Sequence, residues 1–184
     1  MTLTVERIYT PEELLGNSAI DGHELIEGHL RERPVSTQSS WVAGEILGLL
    51  REEAKRTREA RVYPSDLGYR CFPDMPNTVR FADVSVIRAE RDRQITDDPG
   101  YMPIPADLVV EVLSPNDVIK DVDEKVDQYL TAGFGTVWVV NPRRRHVHVY
   151  RPDGTVQLLS EHEEITAQTA LPNFRCKVSA FFDV

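Results

Sequence analysis

The sequence predicts an α/β or α+β domain built around a mixed central β-sheet with flanking helices. Two observations carry that expectation. A helix-patterned segment near the N-terminus is followed mostly by strand-patterned ones, with one further helix inserted between two of them, which is the element order of a mixed sheet. No internal repeat, low-complexity tract or long linker interrupts the 184 residues, so residues 1–184 are expected to pack as one domain.

The elements follow in chain order. "TPEELLGN" reads as a short helix with Thr10 at the N-cap and Pro11 at the first helical position. "HELIEGHLRER" alternates apolar and polar residues around Glu27-Gly28, as an N-terminal β-hairpin would. In "WVAGEILGLLREEAKRTREA", Trp41, Val42, Ile46, Leu49 and Leu50 recur at helical spacing and predict the first long helix. Residues 62–80 are rich in Pro, Gly, Asp and Asn and predict an irregular or short-stranded connection. "VRFADVSVIR" predicts one strand, and the polar, proline-rich "ERDRQITDDPGYMPIPA" a surface loop. Then come the strand "DLVVEVLSP", a helix "NDVIKDVDEKVDQYLTAG" closed by Gly133, and the strand "TVWVVN". A strand "HVHVYR", a "PDG" turn and a strand "TVQLLS" follow, and "LPNFRCKVSAFFDV" reads as an extended piece ending in a helical turn.

Composition excludes several function classes. With 41% hydrophobic and 28% charged residues the chain has globular composition, and no run approaches the roughly 18 apolar residues of a membrane span. The start lacks a basic flank followed by an apolar signal core, so the expected location is the cytoplasm. Cys71 and Cys176 have no ligand-like neighbours in sequence, which leaves neither a zinc site nor a disulfide framework. A formal net charge of −9 argues against a large basic surface for counterion-driven DNA binding. A local basic patch, a divalent metal or a dimeric groove could still serve a nucleic acid. The best local patch, Arg143 to Arg145, follows a predicted strand and Pro142 and reads better as a solvated hairpin turn than as a phosphate clamp.

The chemistry concentrates on two acids and a lysine. In "DLVVEVLSP", residues 107, 109, 111 and 113 share one strand face, so Glu111 stands between Val109 and Leu113, where a bare charge is costly to bury. Ser114-Pro115 ends the strand just beyond it, and strand C-terminal edges commonly carry the ligand sites of α/β sheets. Asp83 stands in the preceding predicted strand, and adjacent strands could bring it beside Glu111. Two carboxylates sharing a site are stabilised by a hard divalent cation, with Mg2+ the natural candidate and Mn2+ an alternative. Taken on position alone, Asp83 reads better as the cap of a turn before the strand. On the following helix Val118, Val122, Val126, Tyr129 and Leu130 form an apolar stripe, and Lys125 projects at its margin, able to snorkel or to reach the carboxylates.

At this point the chain resembles a known family. "HELIEGHL", "VAGEILGLL", "FADVSVI", "PADLVVEVLSPND", "DEKVDQYLTAGFGTVWVVNP", "HVHVYRPDG" and "LPNF", in this order, resemble the Uma2 family, which carries the PD-(D/E)XK restriction-endonuclease-like fold. The resemblance spans nearly the whole chain. It implies Asp83 and Glu111 as acidic metal ligands and the backbone carbonyl of Val112 as a third. The general nuclease pattern places a lysine two residues after the second acid, where this chain has Leu113, whereas the family carries it on the next helix, matched by Lys125. Two positions depart from the family: Ala82 where a proline usually precedes the first acid, and Ser39 where the first helix often has a histidine. Glu45 on that helix is a weaker site candidate, and Asp107 and Gln128 are supporting candidates. The resemblance thus implies a Mg2+-dependent endonuclease acting on DNA, working as a homodimer with no membrane partner. The rival expectation is a nuclease-fold module that no longer cuts and serves in nucleic-acid or protein binding. Hydrolysis of a small phosphate ester is a third, since the same site chemistry would serve.

Overall fold

The computed structural model describes residues 7–20, 22–95 and 100–183. Helix α1 (Pro11–Leu15) is closed at its start by a capping box between Thr10 and Glu13. Strands β1 (His23–Ile26) and β2 (His29–Glu32) form the N-terminal hairpin, turned by Glu27 at φ 47° and Gly28 at φ 89°, both in the left-handed region that tight hairpins require. Leu25 faces away from the turn's polar side and docks the hairpin by a reciprocal backbone pair with Val79.

Helix α2 (Thr37–Thr57) begins four residues before the predicted start, because Ser36 caps it and Ser39 answers with its own side chain. It also ends earlier than the sequence pattern suggests. Arg58 turns left-handed at φ 60°, and Ala60 enters a strand that the pattern does not reveal.

That strand, β3 (Ala60–Pro64), is one edge of the six-stranded central sheet. Its other members are β6 (Val84–Arg88), β7 (Leu108–Val112), β8 (Thr136–Asn141), β9 (His146–Tyr150) and β10 (Val156–Ser160), in the spatial order β10-β9-β8-β7-β6-β3. Every pairing is antiparallel except β7 with β8, which are parallel and joined by helix α4 (Ile119–Thr131). Both faces are covered, which explains the continuous apolar runs of β7 and β8. Leu108, Val110, Trp138 and Val140 pack toward α2 and the C-terminal β11 (Glu164–Ala167), β12 (Leu171–Lys177) and 3-10 turn (Val178–Phe181). Val109, Val137 and Val139 pack toward α4, beside Tyr69, Phe72, Tyr129 and Phe134. The residues entering β7 and β8 lie close together at Gly135, where a Cβ would lie 2.1 Å from the Asp107 carbonyl oxygen.

Three expectations need correction. The single strand predicted over 79–88 is two: β5 (Arg80–Phe81) pairs with β4 (Gly68–Tyr69), and β6 starts only at Val84. The break arises because the Phe81 N–H donates to the Glu24 carboxylate rather than to a strand. The loop after β6 is not wholly on the surface, since Asp92 in the short helix α3 (Ala89–Asp92), Tyr101, Met102 and Ala106 are buried. Asp92 tolerates burial because Tyr63 and Arg61 both turn to its carboxylate. Residues 96–99 of that predicted loop lie outside the described residues. Finally, α4 starts at Ile119, after Asp117 has capped the Ser114 N–H, and Val118 is exposed rather than part of the apolar stripe. Among the described residues no helix is long and apolar enough to cross a membrane.

Candidate active site

The site lies where β7 outruns β6. Strand β6 pairs with β7 only up to Val84 opposite Val110. The ladder is then finished by a side chain: the Asp83 N–H donates to the Val110 carbonyl at 3.1 Å, and the Val112 N–H donates to Asp83 Oδ2 at 2.7 Å. Asp83 is therefore held by the end of the sheet itself, and its Oδ1 accepts no hydrogen bond among the described residues. A strand residue's N–H and C=O point to the same lateral side. Since the Val112 N–H points to Asp83 and the Leu113 N–H points the other way, to Val140, the Val112 carbonyl is aimed beside Asp83.

Glu111, between these two residues on the opposite face from Val112, points toward α4. Its Oε2 accepts from Lys125 Nζ at 2.8 Å and its Oε1 from the Tyr129 hydroxyl at 2.9 Å. Lys125 and Tyr129 are four apart on α4 and so stand on one helix face. Lys125 reaches further, to the Phe81 carbonyl at 3.1 Å and Glu24 Oε1 at 2.9 Å. Two of its ammonium protons are thus hydrogen-bonded, and Glu24 adds an ion pair. The lysine arriving from the helix thus meets the acid that a strand lysine at position 113 would have met. Leu113 instead packs among the apolar residues under α4.

Asp83, Glu111, Val112 and Lys125 line one cavity of about 280 Å3, whose far wall is the N-terminal hairpin, with Glu24, Arg31 and Arg33. Sequence reasoning does not single out Glu24 and Arg80. Glu24 is 6% exposed, and its Oε2 takes Arg80 Nη1 at 2.7 Å while Oε1 takes Lys125 and the Phe81 N–H. Arg80 is fixed in turn by Gln128, whose Oε1 accepts from Nε and Nη2 at 3.0 and 2.6 Å. The signal for Glu24 is the same as for Glu111, an acid inside an alternating strand, here "HELI". The pattern places Tyr129 only in the apolar stripe, and its hydroxyl reaches Glu111 because the stripe's edge abuts the cavity.

The other candidates lie elsewhere. Asp107, at the opposite end of β7, binds the Arg91 guanidinium at 2.7 Å and the Arg88 N–H at 2.8 Å. Glu45 is half-buried on α2 and lines neither this cavity nor its neighbour. Ser39, at the family's histidine position, is buried in the α2 cap and lines the neighbouring cavity. Arg145 is bound to Glu161 and Asp183 and lies over the Phe182 ring, which leaves the exposed Arg143 and Arg144 as a surface turn.

The charges are out of balance in a useful direction. Asp83, Glu111 and Glu24 have two ion-pairing cations among them, Lys125 and Arg80. Burial pushes Glu111 up to about 7; Lys125 pulls it down, while Asp83 and Glu24 push it further up. Burial also raises Asp83, against the pull of the Val112 N–H, Lys125 and Arg33. Burial works against the charges of Glu24 and Lys125 too, but Lys125 and Arg80 outweigh it and hold Glu24 at about 2, and Glu111 and Glu24 keep Lys125 above the usual lysine range. Two acids whose charge burial opposes, beside an aimed carbonyl, form an all-oxygen donor set that fits a hard divalent cation keeping part of its water shell. No group of three or more acidic, histidine or cysteine side chains able to hold a metal occurs among the described residues, so any such ion rests on two carboxylates and the backbone.

A six-stranded mixed sheet with one parallel pair, and a helix crossing between β7 and β8, make this a mixed α+β domain of restriction-endonuclease-like fold. The comparison with solved structures agrees. A crystal structure of a putative nuclease belonging to DUF820 from Anabaena variabilis ATCC 29413 superposes with a TM-score of 0.75 at 21% identity, covering 87% of this chain and 89% of that one. The model of the Uma2 family, described as putative restriction endonuclease, matches residues 12–179, and the chain belongs to that family. Among curated proteins none matches it.

Proposed function

We propose that the protein is a Mg2+-dependent endonuclease that hydrolyses phosphodiester bonds in DNA. The observation that carries this reading is the convergence of Asp83, Glu111 and Lys125 on one cavity, with Asp83 Oδ1 open and the Val112 carbonyl aimed beside it. Asp83, Glu111 and that carbonyl would hold the ion. When bound, Mg2+ supplies a Lewis acid for the scissile phosphate and acidifies a coordinated water. Lys125 would place a fixed positive charge where negative charge grows on the phosphoryl oxygens, and Tyr129 keeps Glu111 turned toward the cavity. Glu24 positions Lys125 and Arg80 from the hairpin. Cutting both strands of a duplex in one event needs two such sites, so the reading includes a homodimer, which sedimentation in the presence of DNA would show.

The test is incubation with supercoiled plasmid, linear duplex and a small phosphodiester, each with Mg2+, Mn2+ or EDTA. Metal-dependent nicking or linearisation of plasmid supports the endonuclease. Binding without cleavage favours the inert module, and cleavage of the small ester alone favours the third reading.

A further inference from the structure

The site cavity has a neighbour. A second cavity, of about 240 Å3, lies between the start of α2 and Ser65, and Arg33, Pro34 and Asp83 line both. The two cavities therefore adjoin at Asp83. Any phosphodiester strand lying across them brings a negative charge at each nucleotide, yet the acids of the site already outnumber their paired cations. Four cationic side chains line the first cavity. Lys125 and Arg80 are neutralised by Glu111 and Glu24. Arg31 and Arg33 make no ion pair with a carboxylate among the described residues, and only Arg33 reaches both cavities.

Arg33 is also prepared for the task. Its backbone N–H extends the hairpin ladder to the Gly22 carbonyl at 3.1 Å. The guanidinium lies over the Phe81 ring, 4.9 Å from its centroid, and spends one donor on the Ser65 carbonyl at 3.1 Å. A guanidinium carries five N–H donors in a fixed fork, so the remaining ones are held in place without being used up, the arrangement suited to bidentate phosphate contact. Resting on the nuclease reading, we propose that the two cavities form one track for the cleaved strand. The scissile phosphate sits at Asp83 and Glu111, and Arg33 binds the phosphate next to it.

The experiment measures DNA binding with Ca2+ in place of Mg2+ and cleavage kinetics with Mg2+, for the parent, Arg33→Ala and Arg33→Lys. Loss of a hydrogen-bonded charged group should raise KM for DNA roughly 10- to 100-fold in Arg33→Ala, with a much smaller change in kcat. The slope of log affinity against log salt should fall by about 0.9, because the variant neutralises one fewer phosphate of the duplex. Arg33→Lys should restore the slope, because the charge returns, and leave KM raised, because the fork does not. A merely structural arginine would lower kcat and thermal stability and leave the slope unchanged, and that result overturns the proposal. A parent that cuts DNA while Arg33→Ala matches it in KM and slope overturns the track and spares the nuclease reading. A parent that neither binds nor cuts DNA overturns both.

Discussion

Replacing Glu111, the proposed metal ligand, with glutamine should make the protein more stable in EDTA at neutral and alkaline pH. The magnitude follows from the acid's surroundings. Glu111 has an ordinary value of 4.5 and about 7 in the folded chain, because burial opposes its charge. Below pH 4.5 it is protonated in both states and has no net effect. Between 4.5 and about 7 the unfolded chain sheds a proton that the folded chain keeps, so stability falls as pH rises, and above about 7 the loss is complete. At 1.36 kcal/mol per pKa unit the full loss is about 3 kcal/mol. Glutamine resembles the protonated acid and cannot ionise: its Oε1 can still accept from Lys125, while its Nε2 donates to the Tyr129 hydroxyl oxygen, which turns to accept. Glu111→Gln should therefore exceed the parent by about 2–3 kcal/mol at pH 8 and match it near pH 4.5, the pattern of an acid kept for function at a cost in stability. Urea denaturation followed by tryptophan fluorescence at pH 4.5, 6, 7 and 8 reads this as a midpoint gain of about 1 M at pH 8 for ordinary urea slopes. A Glu111→Gln protein less stable than the parent at pH 8 would refute the reasoning, since the Lys125–Glu111 pair would then be net stabilising.

Three further outcomes follow from the same geometry. With Glu111 as the proposed ligand, Mg2+ binding would expel its proton, so calorimetric affinity should rise about tenfold per pH unit below about pH 7 and level off above it; a flat profile contradicts Glu111 as a ligand. Lys125→Met leaves Glu24 and Glu111 facing Arg80 alone and should destabilise the protein by about 3–5 kcal/mol at pH 8, less at pH 5 where Glu111 takes a proton, as denaturation at both pH values would show. Gly135→Ala drives a Cβ into the Asp107 carbonyl where β7 and β8 start side by side and should cost more than about 3 kcal/mol, beyond ordinary overpacking because backbone must move, with a lowered melting temperature as the readout.

Much of this site was legible because each part has a local signature. An acid in an apolar strand, an acid one strand earlier and a lysine at a helix margin are visible in "DLVVEVLSP", "FADVSVI" and "DEKVDQY", and the fold brings those three together. What stayed hidden depends on long-range contacts. Glu24 meets Lys125 only because Leu25 docks the hairpin on Val79, and no pattern in "HELI" reveals that partner. The strand break at Ala82 and Asp83 was hidden for the same reason, since β5 ends where Glu24 takes the Phe81 N–H and Asp83 takes over the ladder from its own backbone. Strand β3 was missed because helix-favouring charges run up to Ala60, and the left-handed Arg58 that ends the helix is not a glycine. Asp107 and Glu45 show the converse error: both are acids at strand or helix positions that sequence cannot distinguish from site positions, and the fold turns Asp107 to Arg91 and leaves Glu45 off the cavity.

The central claim is that Asp83 and Glu111 together make the DNA-cutting centre. Its most direct test is cleavage of supercoiled plasmid in Mg2+ by the parent, Asp83→Ala and Glu111→Ala, each shown folded by circular dichroism. The account predicts Mg2+-dependent cutting by the parent and its abolition in both variants; full activity in either variant would contradict it.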